Sequence, residues 1–106
     1  EDITVDQGSD VTVRLELADE GGGAKDLTWY SANAQIRKTY SSSTVRATFS
    51  TSIYAAAGQV TLSLNDTTTS GLEAGRYVYD LNITSGGGQT TRVVEGQAIV
   101  TPGVTR

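Results

Sequence analysis

The 106-residue sequence contains no cysteine, no histidine and no methionine, and it has a single proline. The lack of cysteine removes disulfides, thiol nucleophiles and thiolate zinc sites, and the lack of histidine removes the commonest general base and metal ligand. Most of the usual sets of catalytic residues are therefore excluded, so we expect no enzymatic activity, no cofactor and no metal. Cysteine usage assigns no compartment, because disulfide-free domains occur in reducing and oxidising surroundings.

Positive charge and long apolar runs are scarce as well. Eight Lys and Arg residues against twelve Asp and Glu residues give a formal net charge of −4, which repels polyanions and argues against nucleic acid as a partner. Apolar stretches are far shorter than the roughly 20 residues that span a bilayer, so we expect no membrane partner. The length is typical of a single domain, here residues 1–106, that is held by a hydrophobic core.

What the sequence does contain is repeated alternation of apolar and polar residues, the pattern of half-buried strands. It predicts strands over residues 3–5, 11–17, 30–37, 45–49, 59–65, 76–84 and 91–101. Turns rich in glycine and serine separate these segments, and no amphipathic helix interrupts them. The pattern predicts an all-β fold, an Ig-like antiparallel β-sandwich of about seven strands.

Three shorter segments carry expectations of their own. Residues 50–58 fit either one helical turn or an irregular crossover, and we assign them as a loop. Leu72, Gly75 and Tyr77 match a tyrosine corner, in which a tyrosine near the start of a late strand packs over the preceding crossover. Gly96 lies inside the last predicted strand and indicates a β-bulge or a tight crossing.

The acidic residues form no recognisable catalytic or metal-binding pattern. The acids at the start of the chain are Asp2, Asp6 and Asp10. No stretch matches a calcium-binding EF-hand loop, and we interpret these acids as solvated turn residues. Asp80 is expected to pair across the sheet with Arg92 or Arg37, in a structural role.

Aromatic residues near predicted loops and strand ends are the candidates for binding. They are Trp29, Tyr30, Tyr40 and Tyr54. Such residues belong to the core or are enriched at protein interfaces, and their rings also stack on sugar faces. Ile3 and Val5 join them as interface candidates, because residues 3–5 and 91–101 are candidate edge strands whose unpaired backbone groups can join neighbouring subunits.

Several short motifs are spread along nearly the whole chain. They are Lys25-Asp26-Leu27-Thr28, Ala34-Gln35-Ile36-Arg37, Gly58-Gln59-Val60-Thr61-Leu62, Leu72-Glu73-Ala74-Gly75-Arg76-Tyr77-Val78-Tyr79-Asp80-Leu81, Val94-Glu95-Gly96 and Val100-Thr101-Pro102. Together they resemble small structural proteins of tailed bacteriophages, which are similar in turn to the N-terminal Ig-like domain of phage baseplate upper proteins. The likeness includes the ending Val104-Thr105-Arg106 and implies a complete short protein.

The resemblance implies a non-enzymatic virion structural protein, either a tail or baseplate component or a capsid decoration protein. Such a protein is assembled in the cytoplasm of the bacterial host and acts by docking on other virion proteins or on copies of itself. The resemblance supplies no catalytic residue. The alternative for the same fold is a host-surface or glycan-binding adhesion module, in which the aromatic residues form a sugar platform.

Overall fold

The computed structural model describes residues 2–103, and these form eight β-strands, one short α-helix and one 3-10 turn. The strands are β1 (Ile3–Asp6), β2 (Val11–Glu16), β3 (Ser31–Arg37), β4 (Ala47–Thr48), β5 (Ser50–Tyr54), β6 (Gln59–Leu64), β7 (Gly75–Thr84) and β8 (Thr90–Thr101). The α-helix α1 is Asp66–Ser70, and the 3-10 turn is Ala55–Ala57. Within residues 2–103, no helix has the length and apolar character needed to cross a membrane. The ending Val104-Thr105-Arg106 lies outside the described residues.

The strands form two sheets that pack face to face. Sheet A has the order β1-β8-β7-β3-β4, and sheet B has the order β2-β6-β5. The predicted Ig-like β-sandwich is confirmed. The prediction of antiparallel pairing holds for every pair except β1 with β8, which run parallel with Ile3 opposite Ala98. Parallel neighbours need a long connection, and here nearly the whole chain lies between the two strands.

The core between the sheets is built by alternation, as predicted. On β7, alternate residues face inward, and Tyr79 and Leu81 are almost completely buried. The Phe49 ring packs edge-on against Tyr79, with 6.2 Å between ring centres. Burial of each large apolar side chain contributes about 1.5–3 kcal/mol, so one strand supplies a substantial share of the stability.

The tyrosine corner predicted at Tyr77 is present. The Tyr77 hydroxyl donates a hydrogen bond of 2.7 Å to the carbonyl oxygen of Glu73, four residues upstream. The Lys38 ammonium lies 4.7 Å from the centre of the Tyr77 ring. The hydrogen bond ties the start of β7 to the crossover that leads from α1, and Lys38 adds a contact from the end of β3.

The loop predicted over residues 50–58 is wrong for most of its length. Residues 50–54 form β5, which pairs with β6, and only Ala55–Ala57 makes a helical turn. β5 is an edge strand whose inward residues, Thr51 and Ile53, are only half-buried. Such a strand needs no run of large apolar residues, so its alternation is weak in the sequence.

The preceding predicted strand, residues 45–49, is shorter than expected. β4 contains only Ala47 and Thr48, and Val45 is exposed rather than inward. Phe49 is buried, and its backbone N–H donates to the carbonyl of Ala34 in β3. The chain passes from sheet A to sheet B directly after this residue, which ends β4 early.

The irregularity expected at Gly96 lies instead at Val93. Gly96 pairs regularly with Tyr79, whereas Leu81 pairs with Val94 and Asn82 pairs with Arg92, which leaves Val93 as an extra residue. Val93 does not have a positive φ. A bulge of this kind requires no glycine, so no residue type in the sequence marks it.

Gly58 permits a close approach of the backbone at Leu17 and Lys25. Its φ is 64°, and a Cβ there would lie 2.7 Å from the Leu17 oxygen and 2.8 Å from the Lys25 nitrogen and oxygen. We expect Gly58→Ala to lower the free energy of unfolding by about 3 kcal/mol or more, because backbone strain adds to steric overlap. Urea denaturation at neutral pH measures this loss.

Gly22 is the matched control, since its φ is 87° and a Cβ there meets nothing within 4 Å. Gly22→Ala retains the strain without the overlap and should cost about 1 kcal/mol. Equal losses in the two variants would contradict the role of close approach at Gly58.

The tyrosine corner makes a second prediction about stability. Tyr77→Phe removes the hydroxyl from the Glu73 carbonyl but keeps the buried ring, so the free energy of unfolding should fall by about 1 kcal/mol. Tyr30→Phe is the control, because no hydrogen bond within residues 2–103 involves the Tyr30 hydroxyl, and it should change stability by less than about 0.5 kcal/mol. If Tyr77→Phe left the free energy of unfolding unchanged in urea denaturation, the tyrosine corner would not stabilise the fold.

Candidate functional site

The four aromatic candidates differ in their surroundings. Trp29 is 85% exposed, Tyr54 is 65% exposed and Tyr40 is 51% exposed. Tyr30 is partly buried and packs against the core. Within residues 2–103 none of these four rings packs on another, and the one aromatic pair belongs to the core. The expected platform of four aromatic rings is therefore not formed.

The side chains of Ile3 and Val5 are wrong as interface candidates. They are 7% and 0% exposed, because both point from β1 into the core. The expected edge position of β1 is confirmed, since in the described part of the chain β1 pairs only with β8. What β1 offers to a partner is thus its backbone, not these two side chains.

Trp29 lies at the tip of a tight turn before β3. The Tyr30 N–H donates to the Leu27 carbonyl across the turn, at 3.0 Å. Asp26 stabilises this turn, because its Oδ1 accepts hydrogen bonds from the N–H of Thr28 at 3.0 Å and from the Thr28 hydroxyl at 2.6 Å. These two hydrogen bonds hold the pKa of Asp26 below its usual value, so the carboxylate stays charged at neutral pH.

The backbone of Trp29 is unusual. Its φ is 66°, and no other non-glycine residue among residues 2–103 has a positive φ. This conformation is rare for a bulky residue and costs about 1–3 kcal/mol. The indole gains little burial in return, since it remains 85% exposed.

Other features of sheet A lie at the same end as Trp29. The loop of residues 85–89 joins β7 to β8 and passes so close to Trp29 that a Cβ on Gly86 would lie 3.3 Å from the Cβ of Trp29. A cleft of about 300 Å³ opens beside this loop, with Tyr30, Ile83 and Val93 among its lining residues. Trp29 therefore stands next to a partly apolar cleft.

The edge expected over residues 91–101 is only half free. Ala98 to Thr101 pair with β1, and the Gln97 N–H donates to the Asp2 carboxylate, so this part of β8 is covered. Residues 90–94, apart from Val93, pair with β7 on one side, and within residues 2–103 no strand pairs with their other side. The free part of the edge begins at the Trp29 end of the sheet.

Two of the three acids at the start of the chain accept hydrogen bonds from backbone N–H groups, and Asp6 accepts one from the Thr101 hydroxyl. Asp10 accepts from the Asp66 N–H at 2.8 Å, and Asp2 accepts from the Gln97 N–H at 3.0 Å. In the part of the chain that the structure describes, no group of three or more acidic, histidine or cysteine residues is placed to hold a metal ion. These acids position turns and strand ends.

The alternative pairings predicted for Asp80 are resolved in favour of Arg92. The Arg92 Nε lies 3.2 Å from Asp80, and the Arg92 NH1 lies 3.2 Å from Glu95. Arg37 instead donates to the Ser42 carbonyl at 2.6 Å. In a regular strand, residues 92 and 95 would face opposite sides. The bulge at Val93 brings both to the outer face.

Tyr40 covers this ion-paired group on the outer face of sheet A. Its hydroxyl donates to the Gly96 carbonyl at 3.1 Å, and the Arg92 guanidinium carbon lies 5.9 Å from its ring centre. The sequence identified Tyr40 as a candidate but not its neighbours Gln35 and Asn82. Their only sequence signal is an outward position on β3 and β7, which polar residues commonly occupy.

The ionisation of Tyr40 tests this arrangement. Partial burial, and then the charge of Glu95, raise the pKa of the phenol above its ordinary 10.0, while the charge of Arg92 opposes the rise. We expect Glu95→Gln to lower the Tyr40 pKa and Arg92→Gln to raise it, as followed by the Cζ chemical shift in NMR. Shifts of the same sign in both variants would contradict the arrangement.

The stability linkage has a definite sign. Because the folded-state pKa is raised, the contribution of Tyr40 to stability is present below its ordinary pKa of 10.0 and is lost as the pH rises through the raised value. Tyr40→Phe should remove this alkaline loss.

Comparisons with known proteins establish the fold. No family model matches the sequence, and no curated protein matches it. The chain is similar to the crystal structure of CopC from Methylosinus trichosporium OB3b, with 16% identity, a TM-score of 0.54, and coverage of 97% of this chain and 88% of that chain. The chain is also similar to the crystal structure of the Lin-41 filamin domain, with 15% identity, a TM-score of 0.49, and coverage of 92% of this chain and 82% of that chain. At 16% identity, the likeness to CopC shows a shared β-sandwich fold alone.

Proposed function

We propose that this chain is a non-enzymatic structural protein of a tailed bacteriophage virion, which docks on other virion proteins through the Trp29 end of sheet A. The observation that carries the docking proposal is the exposed indole of Trp29 on a left-handed backbone. The virion assignment rests on the resemblance of the sequence motifs. The position within the virion, in tail, baseplate or capsid shell, follows from whichever protein it docks on.

The energetics of Trp29 support docking. A tryptophan that leaves water at an interface buries about 200 Å², which corresponds to about 5 kcal/mol of apolar transfer. In the isolated chain that surface stays wet while the backbone strain remains. A partner that covers the indole would gain this transfer free energy, which is typical of a hot-spot residue.

The neighbouring strand edge supports the same surface. Residues 90–94 of β8 present backbone groups that pair with β7 on one side only among residues 2–103. A strand of a neighbouring virion protein that pairs there would gain backbone hydrogen bonds, and the adjacent indole would add apolar contact. Arg92 and Glu95, which flank this edge, keep it from pairing indiscriminately.

A non-enzymatic role fits the chemistry of the described residues. The paired acids Asp80 and Glu95 share Arg92, and such neutralised carboxylates are poor general acids or bases. The carboxylates of Asp2, Asp10 and Asp26 accept from backbone N–H groups. The alternative role, adhesion to a glycan, is favoured by one observation, a polar cavity beside Tyr40 on the outer face of sheet A.

The strain at Trp29 generates a prediction that needs no partner. Trp29→Gly relieves the left-handed backbone and removes no core packing, so the free energy of unfolding should rise by about 1 kcal/mol. Trp29→Ala keeps a β-carbon at this position and should change stability by less than about 0.5 kcal/mol. A loss of stability in both variants, measured in urea, would show that the indole supports the fold instead.

Docking itself is tested on particles of the phage that encodes the chain. Mass spectrometry of purified particles should detect the chain as a stoichiometric component. Particles that lack it should bind added protein, and Trp29→Ala should weaken this binding about 30-fold or more. The matched control is Tyr54→Ala, an exposed aromatic residue on sheet B, with an expected change below about twofold. Purified particles without the chain would refute the virion assignment.

A further inference from the structure

A second concave site lies on the outer face of sheet A, away from the core. It is a cavity of about 290 Å³ in which β3, β7 and β8 each supply side chains and Tyr40 supplies an aromatic wall. Its polar lining consists of Gln35, Arg37, Asp80, Asn82 and Arg92. Pockets for small molecules usually begin at about 300 Å³, so this cavity suits one small ligand rather than an extended one.

Ion pairs and hydrogen bonds within the protein fix some of the polar groups that line the cavity. Others are available to bind a ligand. Arg92 is held by Asp80 and Glu95, and Arg37 NH2 donates to Gln35 Oε1 at 3.1 Å. Within residues 2–103, the side-chain amide of Asn82 makes no hydrogen bond, and the amide nitrogen of Gln35 donates none. The cavity therefore offers amide donors and an amide acceptor beside a fixed carboxylate.

The apolar part of the cavity comes from Tyr40, Val78 and Tyr79. The Tyr40 ring is held in place at its far end, because its hydroxyl donates to the Gly96 carbonyl. A positioned aromatic ring beside several donors and acceptors recognises a molecule with one apolar face and a polar rim. Sugars have this character, since their C–H faces stack on aromatic rings while their hydroxyls both donate and accept.

The charges of the cavity favour a neutral ligand. Arg92 is matched by two carboxylates, and both guanidinium groups already donate to acceptors of the protein itself. An anion would have to displace these contacts and would also meet the carboxylate of Asp80. A neutral hydroxyl group can bind next to Asp80 and Asn82 at no such cost.

We propose that this cavity binds a single neutral monosaccharide unit, stacked on Tyr40 and hydrogen-bonded by Gln35, Asp80 and Asn82. This site is distinct from the Trp29 turn, because the cavity lies on the outer face of β7 whereas the cleft near Trp29 is lined by its inner-face residue Ile83. Arg92 belongs both to the cavity and to the β8 edge proposed for docking. A ligand of about a dozen heavy atoms in an open cavity binds with a dissociation constant of about 1 mM.

The test is an NMR titration of the whole chain with methyl glycosides of glucose, galactose, mannose and N-acetylglucosamine, each added separately. We expect at least one of them to shift the side-chain signals of Asn82, Gln35 and Arg92 in a saturable manner. Glucuronate and inorganic phosphate are the charged probes, and we expect both to bind more weakly than the best neutral sugar.

Substitutions assign the binding to this cavity. Tyr40→Ala and Asn82→Ala should each weaken the best neutral sugar about fivefold, through loss of stacking and of a hydrogen bond. Tyr54→Ala and Trp29→Ala remove exposed aromatic residues elsewhere and should leave the affinity within about twofold. The backbone amide spectrum of each variant reports that it is folded, and Tyr40 lies on an exposed loop where truncation leaves the core intact.

Three results would overturn the proposal. The first is that none of the neutral glycosides shifts the cavity signals at millimolar concentration. The second is that a charged probe binds there more tightly than every neutral sugar. The third is that Tyr40→Ala leaves the affinity for the sugar within about twofold, or that Trp29→Ala abolishes binding, and the latter result would place the site at the Trp29 turn. None of these results bears on docking to particles, so the two proposals fail separately.

Discussion

The two-residue period of β7 is the constraint on which the rest of the structure depends. The inward residues of β7 form the centre of the core, and they are Tyr77, Tyr79, Leu81 and Ile83. They can be buried only if the residues between them face outward. The outward set includes Asp80 and Asn82, which line the polar cavity. A shift of one residue in register would bury the carboxylate and expose the tyrosines, so the core and the outer face are specified by the same pairing.

The bulge at Val93 modifies this constraint at one point. Strict alternation would separate Arg92 from Glu95, yet both lie on the outer face and share an ion-paired group with Asp80. The extra residue also places Val93 in the lining of the cleft near Trp29. One irregularity thus adjusts the chemistry on both faces of β8, as bulges near functional sites commonly do.

Much of the fold follows from sequence, because strands with one dry face must alternate. β2, β6, β7 and the end of β8 were predictable for this reason, and so was the tyrosine corner. β5 was not, since a half-buried edge strand carries small polar residues on both faces. The parallel pairing of β1 and the bulge were also hidden, because each depends on contacts between residues that are distant in sequence or on a backbone shape open to many residue types.

The candidate sites, like the fold, were only partly predictable from the sequence. The aromatic residue types selected Trp29 and Tyr40, whereas the expected edge strand selected Ile3 and Val5, whose side chains point into the core. Alternation alone cannot say which sheet edge or loop remains exposed. For Trp29 the deciding fact is conformational. Domains of this size are stable by about 5–15 kcal/mol, and a strained turn that costs about 1–3 kcal/mol is a large fraction of that. Glycine at position 29 would avoid the cost. An exposed indole that carries such a cost therefore supports the proposed docking partner, since the indole gains little burial within the described residues.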